Sequence, residues 1–428
     1  MARRSLGGNF ARLWTAGTIS NLGDGVILGA LPLLARSLSR SPTTVALVTA
    51  AGSLPWLLFS LISGVIADRT DRRRAMAVVD AFRFAAMGLL GFALIADLES
   101  IPLLVIVSFS LGIGETVFDN ASQAILPSVV TEDQLETANS RLEGSQIVAN
   151  QFVGPPLGAW LFTAAIAAPF LIDAASFAAA AALALTLRGS FRPERTAAPT
   201  PTVRSDIREG LRWLFAHRLL RSLAIALGVM NLLGMAAMTM LVLYAKDVLH
   251  LTNVEFGLLL TAEAAGAVLG ASVAPRLARR VGNGTAMTLA IALAGASMLV
   301  PGLWSQPTAV AASLALGGFG GLVWNVLTVS LRQQLVPDEL LGRVNSAYRL
   351  LGWGTMPVGA IAGGLIADAY GLRAPFLVSG TMALLLAVWV SNRATNRSIA
   401  RARRRAAAAA SDRAASGASD DRRSEPNS

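Results

Sequence analysis

Ala168-Pro169-Phe170-Leu171 returns 206 residues later as Ala374-Pro375-Phe376-Leu377. The same displacement carries Gly64 to Gly270, Arg73-Arg74 to Arg279-Arg280, Gly112-x-Gly114 to Gly318-x-Gly320, and Asn139-Ser140 to Asn345-Ser346. One constant offset across most of both halves marks a duplicated unit. Around these pairs run twelve apolar stretches: 11–35, 44–67, 75–96, 101–125, 139–164, 168–187, 221–245, 254–274, 285–304, 307–331, 345–368 and 372–391. Each approaches the roughly 20 residues that an α-helix needs to cross a bilayer. The pattern predicts an all-α membrane protein, with twelve transmembrane helices in two pseudo-symmetric six-helix bundles. Two such bundles can rock about a shared cavity and expose it to one face at a time.

Composition supports a membrane chain. Of 428 residues, 54% are hydrophobic and 14% charged, and mean hydropathy is +0.56. Soluble domains carry about 25% charged residues. The net charge of +10 comes from arginines in short loops. That distribution fits the positive-inside rule and not nucleic-acid binding. Arg-rich segments at 1–12, 68–74, 188–221, 275–284 and 392–428 predict that both termini are cytoplasmic, in the inner membrane of a bacterium. The N-terminus lacks a small-residue cleavage pattern and reads as a direct entry into the first span. Cysteine is absent, the two histidines (His217 and His250) lie far apart, and no phosphate-binding G-x-x-x-x-G-K-[ST] loop occurs. No cofactor, metal or enzymatic activity is therefore expected, and energy must come from a gradient.

The expected domains are a first bundle at 1–189, a linker at 190–220, a second bundle at 221–392 and a tail at 393–428. In the linker, Ile207, Leu211, Leu214 and Phe215 share one helical face, which predicts a short interfacial helix. The tail is Arg/Ala/Ser/Asp-rich and reads as disordered. Its Arg401, Arg403, Arg404 and Arg405 either touch anionic lipid heads or are simply solvated.

The loop after the second span reads Gly64-Val65-Ile66-Ala67-Asp68-Arg69-Thr70-Asp71-Arg72-Arg73-Arg74. It resembles the signature G-x-x-x-D-R-x-G-R-[RK] of the major facilitator superfamily, with Asp71 in place of the second glycine. The resemblance implies a cytoplasmic latch formed by Gly64, Asp68, Arg69, Arg72 and Arg73, with Asp68 facing the start of span 11 near Arg343 and Asn345. The second-half counterpart has Ala274 where the aspartate stood. Gly154-Pro155-Pro156-Leu157-Gly158 is similar to the family's antiporter signature. Its Gly154, Pro155 and Gly158 match, whereas Asn150 and Ala159 replace two glycines. Asn21-Leu22-Gly23-Asp24, Asp80-Ala81-Phe82-Arg83 and Gln123-Ala124-Ile125-Leu126-Pro127 look like the subgroup of enterobactin exporters and macrolide efflux proteins. The arginine that drug antiporters carry in span 4 falls at Phe109.

Charges inside spans cost about 2.5–3.5 kcal/mol each on insertion scales, so they are functional candidates. Asp24, Glu115, Asp119, Arg83, Glu263 and Arg349 are the predicted proton-coupling or substrate residues, and Glu143 is a weaker one. Arg83 either holds one of these acids ionised or pairs with Asp80 one turn away. Phe118, Met230, Met235, Trp324 and Trp353, with Asn120, Asn231 and Asn325, are candidate cavity walls. The resemblance implies a monomeric, proton-coupled antiporter that exports an amphipathic small molecule. A nutrient symporter or a non-transporting receptor on the same fold are the alternatives.

Overall fold

Within a bilayer every backbone polar group needs an internal partner, so a chain this apolar resolves into helices. The computed structural model describes the backbone of residues 6–189, 191 and 203–421; the side chains of 60–62, 64–69, 132, 203–207, 338–339 and 409–421 lie outside that description. Among the described residues all regular structure is helical. The first half comprises α1 (Gly7–Leu38), α2 (Pro42–Arg69), α3 (Arg72–Ile95), α4 (Ile101–Ile125), α5 (Leu135–Gln146), α6 (Gly154–Ala164) and α7 (Ala168–Leu185). The linker helix α8 (Val203–Ala216) leads to α9 (Arg218–Asp247), α10 (Asn253–Val281), α11 (Asn283–Leu303), α12 (Pro307–Leu335), α13 (Asp338–Trp353), α14 (Met356–Tyr370), α15 (Ala374–Arg393) and α16 (Asn396–Asp421).

Helix starts follow local chemistry. Thr252 and Glu255 form a reciprocal capping box at α10, and Asp71 accepts the Arg74 N–H at 3.2 Å to cap α3. The residue that departs from the loop signature is therefore the cap of the next span. The repeated Ala-Pro-Phe-Leu opens α7 and α15, with proline in the first turn where its missing N–H costs nothing. Phe170 and Phe376 are both buried, so the repeat in sequence is a repeat in packing.

Among the described residues eleven helices are long and apolar enough to cross a membrane. The twelfth crossing is the segmented path α5–α6. Its first part is polar, and a π-helical stretch at Ile147–Val153 joins the two parts. Pro155 and Pro156 withhold two backbone donors there, and the wider π turn absorbs the mismatch. Span 11 is likewise divided, at Gly354-Thr355 between α13 and α14.

Helix pairing repeats between halves. In the first, α1 packs on α6 and α7, α2 on α4, and α3 on α4 and α7. In the second, α9 packs on α14 and α15, α10 on α12, and α11 on α12 and α15. The halves meet where α2 faces α14 and where α6 faces α10, two contacts exchanged by the same pseudo-symmetry. One apolar cluster spans this seam, with Leu34, Phe170, Tyr244 and Phe256 all buried in it.

Two expectations change. The tail reading as disorder from about residue 396 gives way to the helix α16. Its alanines and arginines are strong helix formers, and the Asn396 side chain clips its start to the α10–α11 turn. There Oδ1 accepts the Gly284 N–H at 2.7 Å and Nδ2 donates to Val281 O at 2.9 Å. Gly282, at φ 86°, supplies the left-handed turn beside this clip. The linker helix α8 does not lie alone in an interface. Leu214 is fully buried, and Gly210 brings α8 so near α13 that an added Cβ would sit 2.3 Å from Arg343 O.

Candidate functional site

Asp24 and Arg83 meet in the first bundle. Arg83 on α3 donates from Nη2 to Asp24 Oδ1 on α1 at 3.2 Å, and its Nη1 lies 3.9 Å from Asp80 Oδ1 one turn away. The expectation left open two partners for Arg83, and the structure places it against both Asp24 and Asp80. The Arg83 side chain is 3% exposed, Asp80 is fully buried and Asp24 is 27% exposed, so Asp24 alone of the three faces accessible space. The guanidinium lies 4.3 Å from the Phe177 ring, a cation–π contact. Gly114 makes room for it, since a Cβ there would stand 2.7 Å from Arg83 Cγ.

A further acid escaped the sequence reading. Asp173 on α7 is buried beside Ser176, whose hydroxyl donates to Asp173 Oδ1 at 3.2 Å, and Oδ2 has no hydrogen-bond partner. An aspartate inside the apolar run 168–187 carries the same mark as Asp24, so the signal was present. Gly23 permits the approach: a Cβ there would fall 2.2 Å from Asp173 Oδ1. Asp24, Glu115, Asp80 and Asp173 all act electrostatically on Arg83.

Glu115 accepts a long hydrogen bond from Trp56 Nε1, 3.4 Å. Trp56 in turn meets Trp353 of the second half edge-on, with centroids 4.3 Å apart, and Arg349 lies over the Trp353 ring at 4.7 Å. Beside this contact opens a cavity of about 640 Å³, lined by the second half with Asp119 and Gln123 of the first. Asp119 and Arg349 line it with Glu263 and Arg332, among Met230, Asn231, Trp324, Asn325 and Trp353. The Trp324 Nε1 is buried without a hydrogen-bond partner. Three expected wall residues are not there. Phe118 packs against the cluster of Met76 and Ile125, Asn120 donates to Ser63 Oγ at 2.9 Å, and Met235 is not among the lining residues. Glu143 is exposed on α5.

The proline-glycine motif is a helix crossing. A Cβ on Gly154 would lie 2.4 Å from Gly25 Cα, and one on Gly158 would lie 1.9 Å from Val26 O. Gly29 would meet Pro155 O at 2.2 Å, so α1 and α6 touch backbone to backbone on both sides of the motif. Helix α10 comes close to α6 as well: a Cβ on Gly257 would lie 2.7 Å from Pro156 Cα and 2.8 Å from Pro155 O. Pro155 thus touches both the helix that bears Asp24 and the other half.

At the end away from the termini, cross-half polar contacts draw the halves together. Arg36 pairs with Asp247 through both guanidinium and carboxylate edges, one at 3.1 Å, and Asp368 accepts the Thr43 N–H at 3.1 Å. Asn253 donates to Thr163 at 3.1 Å. At the termini end, two of the latch arginines bond within the first half. Arg72 donates to Ala124 O and Arg73 to Leu187 O, each neutralising a helix C-terminus. Arg343 pairs with Glu209 of α8 at 2.8 Å. The Gly64, Asp68 and Arg69 side chains lie outside the described residues.

Arg36→Gln is expected to loosen the seal at the far end. A partly exposed pair is worth roughly 1 kcal/mol, and about 1 kcal/mol is a roughly fivefold change in a two-state ratio. Spin labels on the α1–α2 and α9–α10 loops read it as a larger long-distance population. Distances unchanged from the parent would remove this pair from the seal.

A profile of the family described as transmembrane secretion effector matches residues 7–420. The chain belongs to the major facilitator superfamily. It is 29% identical over 376 residues to the multidrug efflux pump Tap of Mycobacterium tuberculosis, covering 83% of this chain and 86% of that one. It is 23% identical over 384 residues to macrolide efflux protein A of Streptococcus pyogenes, covering 89% and 94%. Among solved structures, the nucleoside transporter NupG superposes with a TM-score of 0.74 at 12% identity, covering 90% of this chain and 100% of that one. This major facilitator is therefore a multi-pass membrane transporter for small molecules, with efflux pumps among its relatives, and not an enzyme.

Proposed function

We propose that this transporter exports amphipathic small molecules in exchange for protons. The observation that carries the reading is the cluster in which one arginine, Arg83, buried with Asp80 and Asp173, also acts on the accessible Asp24 and Glu115, beside a mainly apolar cavity. One guanidinium cannot balance four carboxylates where the dielectric is low, so the cluster needs further cations. In this reading the cations are protons carried on the carboxylates themselves.

Asp24 is the exchangeable site, since it alone of the Arg83-paired acids is accessible. A proton arriving on Asp24 cancels its charge and frees Arg83 to turn towards Asp80 and Asp173. Asp24 lies between Gly23 and Gly25, at the α1–α6 crossing, and α6 bears on α10 of the other half. A change of charge at Asp24 therefore acts beside the joint about which the bundles rock. The cavity takes the solute between Trp324, Trp353 and Met230, with Asp119, Glu263, Arg332 and Arg349 as polar anchors. Such a wall suits an amphipathic organic molecule better than a sugar, which needs many hydroxyl partners. In this reading a monomer sits in a bacterial inner membrane with both termini cytoplasmic, and the seal of Arg36 and Asp247 faces outside. Efflux-pump relatives support the direction.

Purified protein in proteoliposomes, given imposed pH or sodium gradients, tests the reading against lipophilic cations, macrolides and siderophores. Accumulation on the acidic side of the membrane, driven by the pH gradient alone, is the expected result. Movement with the proton instead of against it would make the protein a symporter, and dependence on sodium would dismiss the proton.

A further inference from the structure

The second bundle carries a basic pocket that the transport cycle does not use. Five arginines line it at the termini end: Arg218 and Arg221 at the start of α9, Arg393 at the end of α15, and Arg401 and Arg405 on α16. His217 joins them, and the space they enclose is about 1350 Å³. No carboxylate is among its described lining residues, and none of the five arginines forms an ion pair among the described residues. Arg221 donates only to Phe215 O at 3.1 Å, and Arg393 rests 5.4 Å from the Trp389 ring. Burial holds His217 below the ordinary histidine range, and the positive charge of Arg405 adds to that.

Four of the five arginines are exposed, so water and salt screen their repulsion, yet they converge with no carboxylate between them and leave the pocket strongly positive. Helix α16 docks through a thin apolar strip in which Ile399 is the one large buried side chain, with Ala402 and Ala406 beside it. On the pocket side the same docking brings Arg401 and Arg405, at i and i+4, towards three arginines of the bundle. The start of α9 adds the positive end of its dipole, which repels cations and attracts anions. Gln333, Asn392 and Ser398 supply neutral donors around the rim. Arg403 and Arg404, on the same helix, do not line the pocket.

We propose that this pocket binds a phosphate-bearing anion, and that the bound anion clamps α16 to the second bundle. Guanidinium groups converging from two walls match the several oxygens of a phosphoryl group, which accept forked hydrogen bonds. Either a phospholipid headgroup at the membrane surface or a free phosphate supplies that chemistry.

The full-length protein in nanodiscs separates the two sources. One preparation contains phosphatidylcholine alone, a second adds phosphatidylglycerol, and a third is phosphatidylcholine titrated with inorganic phosphate. Retained lipid is read by native mass spectrometry, and docking by amide exchange along α16. Slow exchange in α16 that appears only with phosphatidylglycerol assigns a headgroup site, and slow exchange that appears with inorganic phosphate assigns a free-anion site. In either case Arg401→Gln/Arg405→Gln weakens binding by at least about tenfold, the loss of two charge-assisted bonds. Arg403→Gln/Arg404→Gln removes the same charge from the other face and is expected to change it by less than about twofold. Arg221→Gln probes the opposite wall and is expected to behave like the first pair. Equal losses in both double variants, no loss in either, or no anion binding by the parent protein would overturn the proposal.

Discussion

Asp24→Asn is expected to abolish pH-driven accumulation while leaving a folded protein that still exchanges solute for solute. Asparagine keeps the shape of the side chain and an oxygen for the Arg83 Nη2 donor, now 3.2 Å from Asp24. Arg83 retains Asp80 and Asp173 as anionic neighbours, so its buried charge is not stranded. What is lost is the accessible group that changes charge. A gradient of one pH unit is worth about 1.36 kcal/mol per proton, which sustains at most a roughly tenfold gradient of a neutral solute exchanged one for one. In the variant that ratio is expected to fall to one. Counterflow of labelled solute, which needs no net proton movement, should persist near the parent rate. A variant that still accumulated solute in full proportion to the pH gradient would move the coupling site away from Asp24.

Gly158→Ala is expected to have the largest effect on stability of any single methyl added to this protein's first bundle outside the acidic cluster. The new Cβ would lie 1.9 Å from Val26 O, and the obstructing atom is helix backbone, which cannot rotate aside. Either α1 and α6 part by more than an ångström, or the contact is lost. Overpacking of this kind costs about 1–3 kcal/mol, occasionally more. Parting the helices would also disturb Gly25 and Asp24 one turn away, so transport should fall along with thermal stability. Gly17→Ala on α1 is the control, because a Cβ there meets nothing within 4 Å. Helix propensity favours alanine there by about 1 kcal/mol at most. Melting of the detergent-solubilised proteins by size-exclusion recovery checks both, and equal midpoints for Gly158→Ala and the parent would show that the crossing is slack.

Span positions and the twofold repeat could be read from residues alone, because hydropathy and period belong to the chain. The constant offset from Phe170 to Phe376 predicts equivalent packing, and both rings are buried. Asp24, Arg83 and Glu115 could be named because a charge within an apolar run is conspicuous at any rotation of its helix. Rotation itself was not readable. Phe118 and Asp119 are neighbours in sequence, yet Asp119 faces the cavity while Phe118 packs into a cluster at the termini end. Nor could periodicity show that Asp71 caps α3, since capping is decided by backbone angles at a single residue. The α16 helix was hidden for another reason: composition measures whether a segment can build a core, and this one borrows its core from the second bundle through Ile399 and the Asn396 clip.

Trp56 and Trp353 touch across the seam, one from each bundle, with Arg349 stacked beside them. Two indoles this close couple their excited states, and a guanidinium against the ring alters its emission. Any rearrangement that swings the bundles apart at this depth must separate the pair. The transporter thus contains an optical gauge of its own conformational cycle, readable by near-ultraviolet dichroism without attaching a dye.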